Sequence, residues 1–417
     1  MKKLLIVLMA LIVLLTGCSS NQSVPAQVQG KQTPLDKDWE SILADAKGTT
    51  VNFYMWGGDE RTNTWVDTFV DSSMQKEYGI KVNRVPMGPD EYLNKLIGEK
   101  QANKQEGSID LVWINGENFR TARQANLLWG PFAEKVPNFQ KYVDQTAPDI
   151  ANDFGFPVEG YEVPYGKAQF VFAYDTSKVK NPPKSSAELL KWVKEHPGRF
   201  TYPELPDFTG SVFVRQLMYE LCGGYQAFPY TEKVNKETIN TQLEPLWNYL
   251  GEIKGDLWRQ GKTYPSSIAA MNQLFADGEV DITMTYNPAI FSGMIEQGLL
   301  PDTVRTYVWN HGTIGNTHFL AIPFNASYKD AALVLANFML SPEAQLSKYT
   351  PENWGDLIAL DLKKLDPQSL KQLEGIKPGI ATLSSEELQT HRLPEIAAEY
   401  IPTIEGLWKE QVIQNGQ

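Results

Sequence analysis

Cysteine is nearly missing from this chain: two residues in 417, Cys18 and Cys222. With Cys18 used at the N-terminus, as argued below, Cys222 has no internal partner, which excludes a disulfide framework. Its neighbours Met218 and Leu221 place Cys222 on a helix face, so the thiol reads as a core residue rather than a redox group. Histidine is almost as scarce, with His196, His311, His318 and His391. Only His311 and His318 are close, and Gly312 and Gly315 between them argue against a shared helix, so no metal site is expected. No H-E-x-x-H, C-x-x-C, G-x-S-x-G or G-x-G-x-x-G occurs, which removes the common metalloprotease, thiol-redox, hydrolase and dinucleotide signatures. Gly255 to Thr263 imitates a phosphate loop, but five residues separate Gly255 from Gly261 and Trp258 would fill the cradle. No cofactor and no catalytic residue are called for. Positive charge is also short: 38 Lys and Arg against 50 Asp and Glu leave a net −12, so there is no basic excess to displace counterions from nucleic-acid phosphates.

Long apolar runs are limited to one. Leu4 to Leu15 follows Lys2-Lys3 and precedes Leu15-Thr16-Gly17-Cys18. Twelve residues are too few for a spanning helix, which needs about 20, and the arrangement is that of a signal peptide. Leu-Thr-Gly-Cys resembles the lipobox of bacterial lipoproteins, which predicts a leader at 1–18 and acylation of Cys18. A buried cysteine ending a short anchor helix is the plainer alternative. Residues 19–35 are Ser-, Gln- and Pro-rich with few large apolar side chains, and read as a flexible tether.

What remains has a globular composition, 42% hydrophobic and 21% charged, and is long enough for two or three cores. Trp39, Ile42, Leu43 and Ala46 mark a helix face that Gly48 ends. Val51 to Trp56 predicts a strand, Gly57-Gly58-Asp59-Glu60 a turn, and Trp65, Phe69 and Val70 the next helix. Strand Ile80–Val85, a helix opened by Pro89-Asp90, and strand Ile109–Ile114 repeat the unit. Strands alternating with helices predict an α/β lobe with a mainly parallel sheet. A second α/β lobe starts with a long strand, Lys167–Asp175. It continues through a helix capped at Ser185–Glu188, a short strand at Gly198–Thr201, a helix over Ser211–Leu221 and a strand Asp281–Tyr286. Ser341-Pro342-Glu343 starts a further helix.

In open α/β sheets small ligands bind beyond the carboxyl ends of the strands. Those ends present Trp56-Gly57-Gly58-Asp59, Asn115-Gly116-Glu117-Asn118, Asp207-Phe208-Thr209-Gly210-Ser211 and Tyr286-Asn287. Glycines admit close approach, amides and hydroxyls give directed hydrogen bonds, and Trp56, Trp113, Tyr165 and Tyr286 supply flat walls. The plainer reading is that the Asp, Asn and Thr residues cap helices and the aromatics are core. The candidate ligand-binding set is Trp56, Gly57, Asp59, Asn115, Glu117, Asn118, Tyr165, Asp207, Thr209, Ser211, Tyr286 and Asn287. A helix starting near Gly210 would suit an anionic group.

The lipobox, the Trp-ended strand, Ile109-Asp110-Leu111-Val112-Trp113-Ile114-Asn115-Gly116, Val163 to Asp175, Gly278 to Tyr286, and Ala336 to Gln345 occur in an order that resembles the extracellular solute-binding proteins of ABC importers. The likeness runs over roughly residues 48–350 and is nearest to the YnjB-type branch, close to thiamine, polyamine and ferric-iron binders. It implies a type II periplasmic-binding fold, with two α/β lobes joined by two hinge crossings. These crossings fall near Gln169–Tyr174 and Thr313–Ala321, giving lobe one as 36–168 plus 318–356 and lobe two as 169–317 plus 357–417. It also implies a small-molecule solute as ligand, ABC permease subunits as partners, a membrane link through the lipid only, and a monomer in the cell envelope. The paired tyrosines of iron binders are lacking, since Asn287 follows Tyr286. The competing readings are a lipid-anchored, carboxylate-dependent glycoside hydrolase or lyase, and a structural envelope lipoprotein.

Overall fold

The computed structural model describes residues 33–231 and 233–414. The expected leader, Cys18 and the tether as far as residue 32 lie outside the described residues. Asp38 accepts a hydrogen bond from the Ser41 amide and so starts helix α1 (Trp39–Ala46), which leads into strand β1 (Thr50–Met55). Helix α2 (Glu60–Thr64), a π-helical stretch (Trp65–Val70) and α3 (Asp71–Tyr78) then run on without a break. Gly79, at φ 66°, takes the left-handed conformation that ends them. Strand β2 (Lys81–Pro86), helix α4 (Pro89–Gln101), strand β3 (Leu111–Ile114) and helix α5 (Glu117–Gln124) complete the repeating part. β1 pairs in parallel with both β2 and β3, as the alternation predicts.

The near-continuous apolar character of these strands has a simple cause, which is that both faces of the sheet are covered. Val51, Phe53, Met55 and Leu111 enter one cluster with Trp65, Val66 and Val70. Tyr54, Val112 and Ile114 enter another, on the opposite face, with Leu93, Leu96 and Phe119.

After the short hairpin of β4 (Asn152–Asp153) and β5 (Phe156–Pro157), strand β6 (Glu162–Gln169) joins the large sheet. It pairs antiparallel with β10 (Thr313–Ala321), which in turn lies antiparallel to β3. The single strand expected over Lys167–Asp175 is broken at Phe170. β6 ends at Gln169, and β7 (Val171–Asp175) belongs to a second sheet, in the order β8–β7–β9. Here β8 is Ile282–Thr285 and β9 is Val304–Tyr307. This smaller sheet is antiparallel throughout, whereas the parallel expectation holds for β1, β2 and β3. The reason is directional: β7 runs out from the crossing, while β8 brings Tyr286 back to it and β9 leads into β10. Phe172 and Met284 face a cluster with Phe213 and Trp309, and Ala173 and Val304 face one with Met271 and Phe291. Two sheets thus carry two sets of cores.

Helices α6 (Phe208–Leu221) and α7 (Ile290–Glu296) pack on the second sheet. α8 (Lys329–Met339) and α9 (Pro342–Tyr349), the latter capped by Ser341 as expected, pack on the first. Two other expectations change. Gly198–Thr201 is no strand, because Arg199 and Phe200 offer their carbonyls to two different segments, at Asp281 and Trp258, instead of to one ladder. The chain after Leu357 does not move at once to the second lobe: Leu360 and Leu365 are buried in the first core. Only from Ala381 onward does it join the second core, where α10 (Ile401–Trp408) ends the helical part.

Candidate functional site

β1 stops at Met55 and leaves Trp56 at the strand end, 49% exposed and edge-on to Trp113 at 6.4 Å. Its indole folds back over Gly58, where a Cβ would collide with the ring. The loop is built to show that aromatic face. Asp59 has a different task, accepting from the amide and hydroxyl of Thr62 as the cap of α2. The Gly57 carbonyl accepts from the Asn63 side-chain amide.

β3 ends one strand away, and its loop turns to the opposite face of the sheet. The α2 side packs with the first of the two clusters described above and α5 with the other, so a crevice opens between the two loops, as expected where crossovers diverge. Gly116 sits at φ 61° and ψ −133° and donates its amide to Asp153 Oδ2 at 2.6 Å. It sets the start of α5 and presents Asn115, Glu117 and Asn118. The side chains of Asn115 and Asn118 are half-buried and make no hydrogen bond among the described residues.

From the second lobe, the N-terminus of α6 and the end of β8 converge. Asp207 accepts from the amides of Gly210 and Ile268 at 3.0 Å each, fastening the helix start to a neighbouring segment. Thr209 and Ser211 are buried, and Phe208 is exposed with its ring edge-on to Tyr286 at 5.1 Å. Ser211 Oγ donates to Glu405 at 2.7 Å and accepts from Arg215 Nη1 at 2.6 Å. Arg215 makes two 3.0 Å hydrogen bonds to Glu395, and Tyr286 donates its hydroxyl to the same carboxylate at 3.2 Å. Asn287 shapes the turn into α7, its Oδ1 accepting from the Ala289 amide.

Charge decides what this arrangement can hold. Burial opposes the charge of Arg215, but the Glu395 carboxylate keeps it firmly protonated. Burial raises the Glu117 carboxyl; Arg215 pulls it down, and Glu405 and Glu395 push it further up. Glu405 is raised by burial too, against its Ser211 bond and Arg215. Glu117 of the first lobe therefore stands in the field of three charged groups of the second. Three carboxylates face two guanidinium groups: Arg215, already spanned by Glu395, and Arg392, whose charge also reaches Glu395 and Tyr286. Along the ribbon behind them Lys167 pairs with Asp149 at 2.8 Å, while Arg392 donates to the Ala168 and Asn316 carbonyls.

Among the sequence candidates, Trp56, Gly57, Asn115, Glu117, Asn118, Thr209, Ser211 and Tyr286 lie at the facing strand and helix ends. Asp59, Asp207 and Asn287 are held in caps and turns. Tyr165 is 1% exposed and packs behind Trp113 with His318 and Trp354, so it supports the wall instead of forming it. Sequence reasoning missed Arg215, Arg392, Glu395 and Glu405. Arg215 was findable, because four residues after Ser211 is the same helix face. The C-terminal three had no local signal. Among the described residues no group of His, Cys, Asp and Glu could hold a metal ion.

Comparison with known proteins adds the following. A family model described as bacterial extracellular solute-binding protein matches residues 64–361. Protein YnjB of Escherichia coli (strain K12) is 40% identical over 343 residues, 82% of this chain and 87% of its own. A solved ABC transporter structure from Clostridium perfringens ATCC 13124 superposes with a TM-score of 0.61 at 18% identity, covering 88% of this chain and 100% of that one. The spermidine/putrescine substrate-binding protein PotD from Streptococcus pneumoniae strain Canada MDR_19A gives 0.60 at 16% identity, covering 88% and 98%. A periplasmic thiamin binding protein gives 0.56 at 15% identity, covering 88% and 96%. The fold they share with this chain is the type II periplasmic-binding fold. The family is one of solute-binding proteins and two of these structures are of ABC transporters, and none of the comparisons supports a hydrolase or lyase.

Proposed function

From the premise that this chain belongs to the bacterial extracellular solute-binding proteins and is the solute-binding component of an ABC transporter, we propose that it captures a small solute bearing a cationic nitrogen between two hinged lobes. The observation that carries this reading is the meeting of Glu117 with Arg215, Glu395 and Glu405 across the two lobes. A solute cation there would restore the missing positive charge and let Glu117 ionise. Trp56, Phe208 and Tyr286 would flank it, and a cation over an aromatic face is favourable by about 0.5–2 kcal/mol. Asn115, Asn118, Thr209 and Ser211 would add directed hydrogen bonds, with the Gly57 backbone lying close.

The lobes in this proposal are 36–168 with 318–356, and 169–317 with the C-terminal part. Segment 357–380 stays with the first lobe, on the packing of Leu360 and Leu365. Contacts made by both faces exist only when the lobes are closed, so the solute shifts the population toward closure, and the permease subunits would recognise that form. Acylation at Cys18 would hold the otherwise monomeric protein to the outer side of the membrane by its lipid alone. Among the described residues no helix is long and apolar enough to cross a membrane.

The test is mass spectrometry of small molecules released from the purified protein, followed by titration of the compound found while tryptophan fluorescence is recorded. A compound with a protonated or quaternary nitrogen, bound at least tenfold more weakly by Glu117→Gln and by Trp56→Ala, is expected. A purely anionic compound, or affinities unchanged in both variants, would sink the proposal.

A further inference from the structure

Each ligand-facing loop of the first lobe is followed directly by an arginine that reaches across to the second. Arg61, one residue into α2, is steadied within its own lobe by donating Nη1 to the Pro351 carbonyl at 2.9 Å. Its guanidinium lies on α7 at Gly293, where any Cβ would overlap it. The neighbouring contact has the same character, since a Cβ at Gly355 would overlap that of Ala289. α7 is second-lobe structure, with Phe291 buried among Ala173, Met271 and Phe275. Arg61 therefore has a seat on the other lobe that exists because Gly293 lacks a side chain.

Arg120, in the first turn of α5, reaches the other lobe at a second point. Its Nε lies 2.9 Å from Glu399 Oε1, and the Glu399 side chain is 2% exposed. Neither oxygen of that carboxylate meets hydrogen-bond geometry among the described residues, so the guanidinium charge is what compensates its burial. A buried carboxylate without its cation is strongly disfavoured. Beside it the Ala398 amide donates to the Phe154 carbonyl at 3.0 Å. The Arg61 helix packs on one face of the large sheet and the Arg120 helix on the other, so the two contacts stand on either side of the crevice.

We propose that Arg61 on Gly293 and Arg120 with Glu399 are a pair of closure clasps: positioning residues that set the ratio of closed to open protein without touching the solute. The inference rests on the hinged-capture reading but not on the solute's charge. Because each clasp sits in the first helical turn after a loop that holds the solute, a solute that orders the loop also sets the arginine. That links occupancy to the closed surface.

The experiment is single-molecule energy transfer on the solute-free, full-length chain in detergent, with azide-bearing residues carrying the dyes at the exposed positions Lys81 and Lys191. Gly293→Ala and Arg120→Gln are each expected to raise the open-to-closed ratio by about tenfold. Only the flexible end of Arg61 must move to admit the alanine, so the melting temperature of Gly293→Ala should stay at the wild-type value. The exchange Arg120→Glu with Glu399→Arg is expected to return the ratio toward wild type, compared with Arg120→Glu alone. Unchanged distances in folded Gly293→Ala and Arg120→Gln would overturn the proposal, as would an exchange variant no more closed than Arg120→Glu. If Arg120→Gln does not fold, Gly293→Ala decides alone. Distances unchanged in both solute-free variants, when the wild-type protein had yielded a cationic compound on purification, would remove the clasps and leave the capture reading intact. A shifted ratio in both variants, when the compound released from the wild-type protein is purely anionic, would keep the clasps and remove the cationic-solute reading.

Discussion

A buried acid and a buried base show how single residues set stability. Glu162 is 0% exposed, and neither oxygen has a hydrogen-bond partner among the described residues. Its carboxyl lies well above the usual range, first through burial and then through nearby Asp153, against a smaller pull from Arg123. A raised folded-state pKa means the unfolded chain releases its proton first. Stability is therefore lost as pH rises from about 4.3 through the folded value, at up to about 1.4 kcal/mol per unit. Glu162→Gln removes that penalty and should be more stable than wild type at pH 8 but not at pH 4, as measured by urea unfolding at both. Arg215 is the opposite case: it is 1% exposed and held by Glu395, so Arg215→Ala leaves a buried carboxylate unpaired and should cost about 3–5 kcal/mol. Adding Glu395→Ala should recover part of the loss, and the double-mutant cycle reads that coupling. Such pairs are invisible in sequence because 180 positions separate the partners. Asp59 and Asp207 were candidates for the ligand, with capping as the plainer reading, and it is the plainer reading that their hydrogen bonds follow; for Asp207 the expected helix began only at Ser211, three residues late.

Among elements, the short turn into α5 carries most weight. Gly116 occupies a backbone region that other residues avoid, and a Cβ there would lie 3.3 Å from the Phe154 ring. Gly116→Ala should destabilise by about 1–3 kcal/mol. It should also weaken solute binding, because Glu117 and Asn118 ride on the same turn; calorimetric melting and titration of the co-purified compound separate the two effects. On the other side of the ribbon, Asp356 joins α9 to β10 through Lys348 and His318 at 2.5 and 3.1 Å. Burial raises its carboxyl, but Lys348 and then His318 prevail and hold it below the usual value. The stability from a depressed carboxyl is present above its unfolded value, about 3.9, and is lost as pH falls below that. Asp356→Asn should therefore flatten the acid limb of the stability curve under pH 4 in circular dichroism melts. Runs of strand-forming apolar residues between turn signals revealed β1 and β3, because both faces of their sheet are covered. The same signal joined β6 to β7 because apolar residues run straight through Phe170, and only the partner strands on either side reveal the break.

Taken as a molecule, the chain was legible as two α/β lobes from the alternation of elements. The C-terminal path was not, since Leu360 and Leu365 look like any apolar residues until the first core is seen to need them. That core also draws on β10, α8 and α9. A chain ending at residue 310 should therefore leave the N-terminal lobe unfolded, shown by rapid proteolysis at residues 36–168, while the second sheet persists. The interior position of β10, between β3 and β6, bears on how the protein leaves the cell that makes it. Three-quarters of the polypeptide must emerge before the larger sheet can close, so the nascent chain has no finished lobe at its leading end. It stays threadable for as long as a narrow export channel requires, and locks into shape only after most of it has crossed.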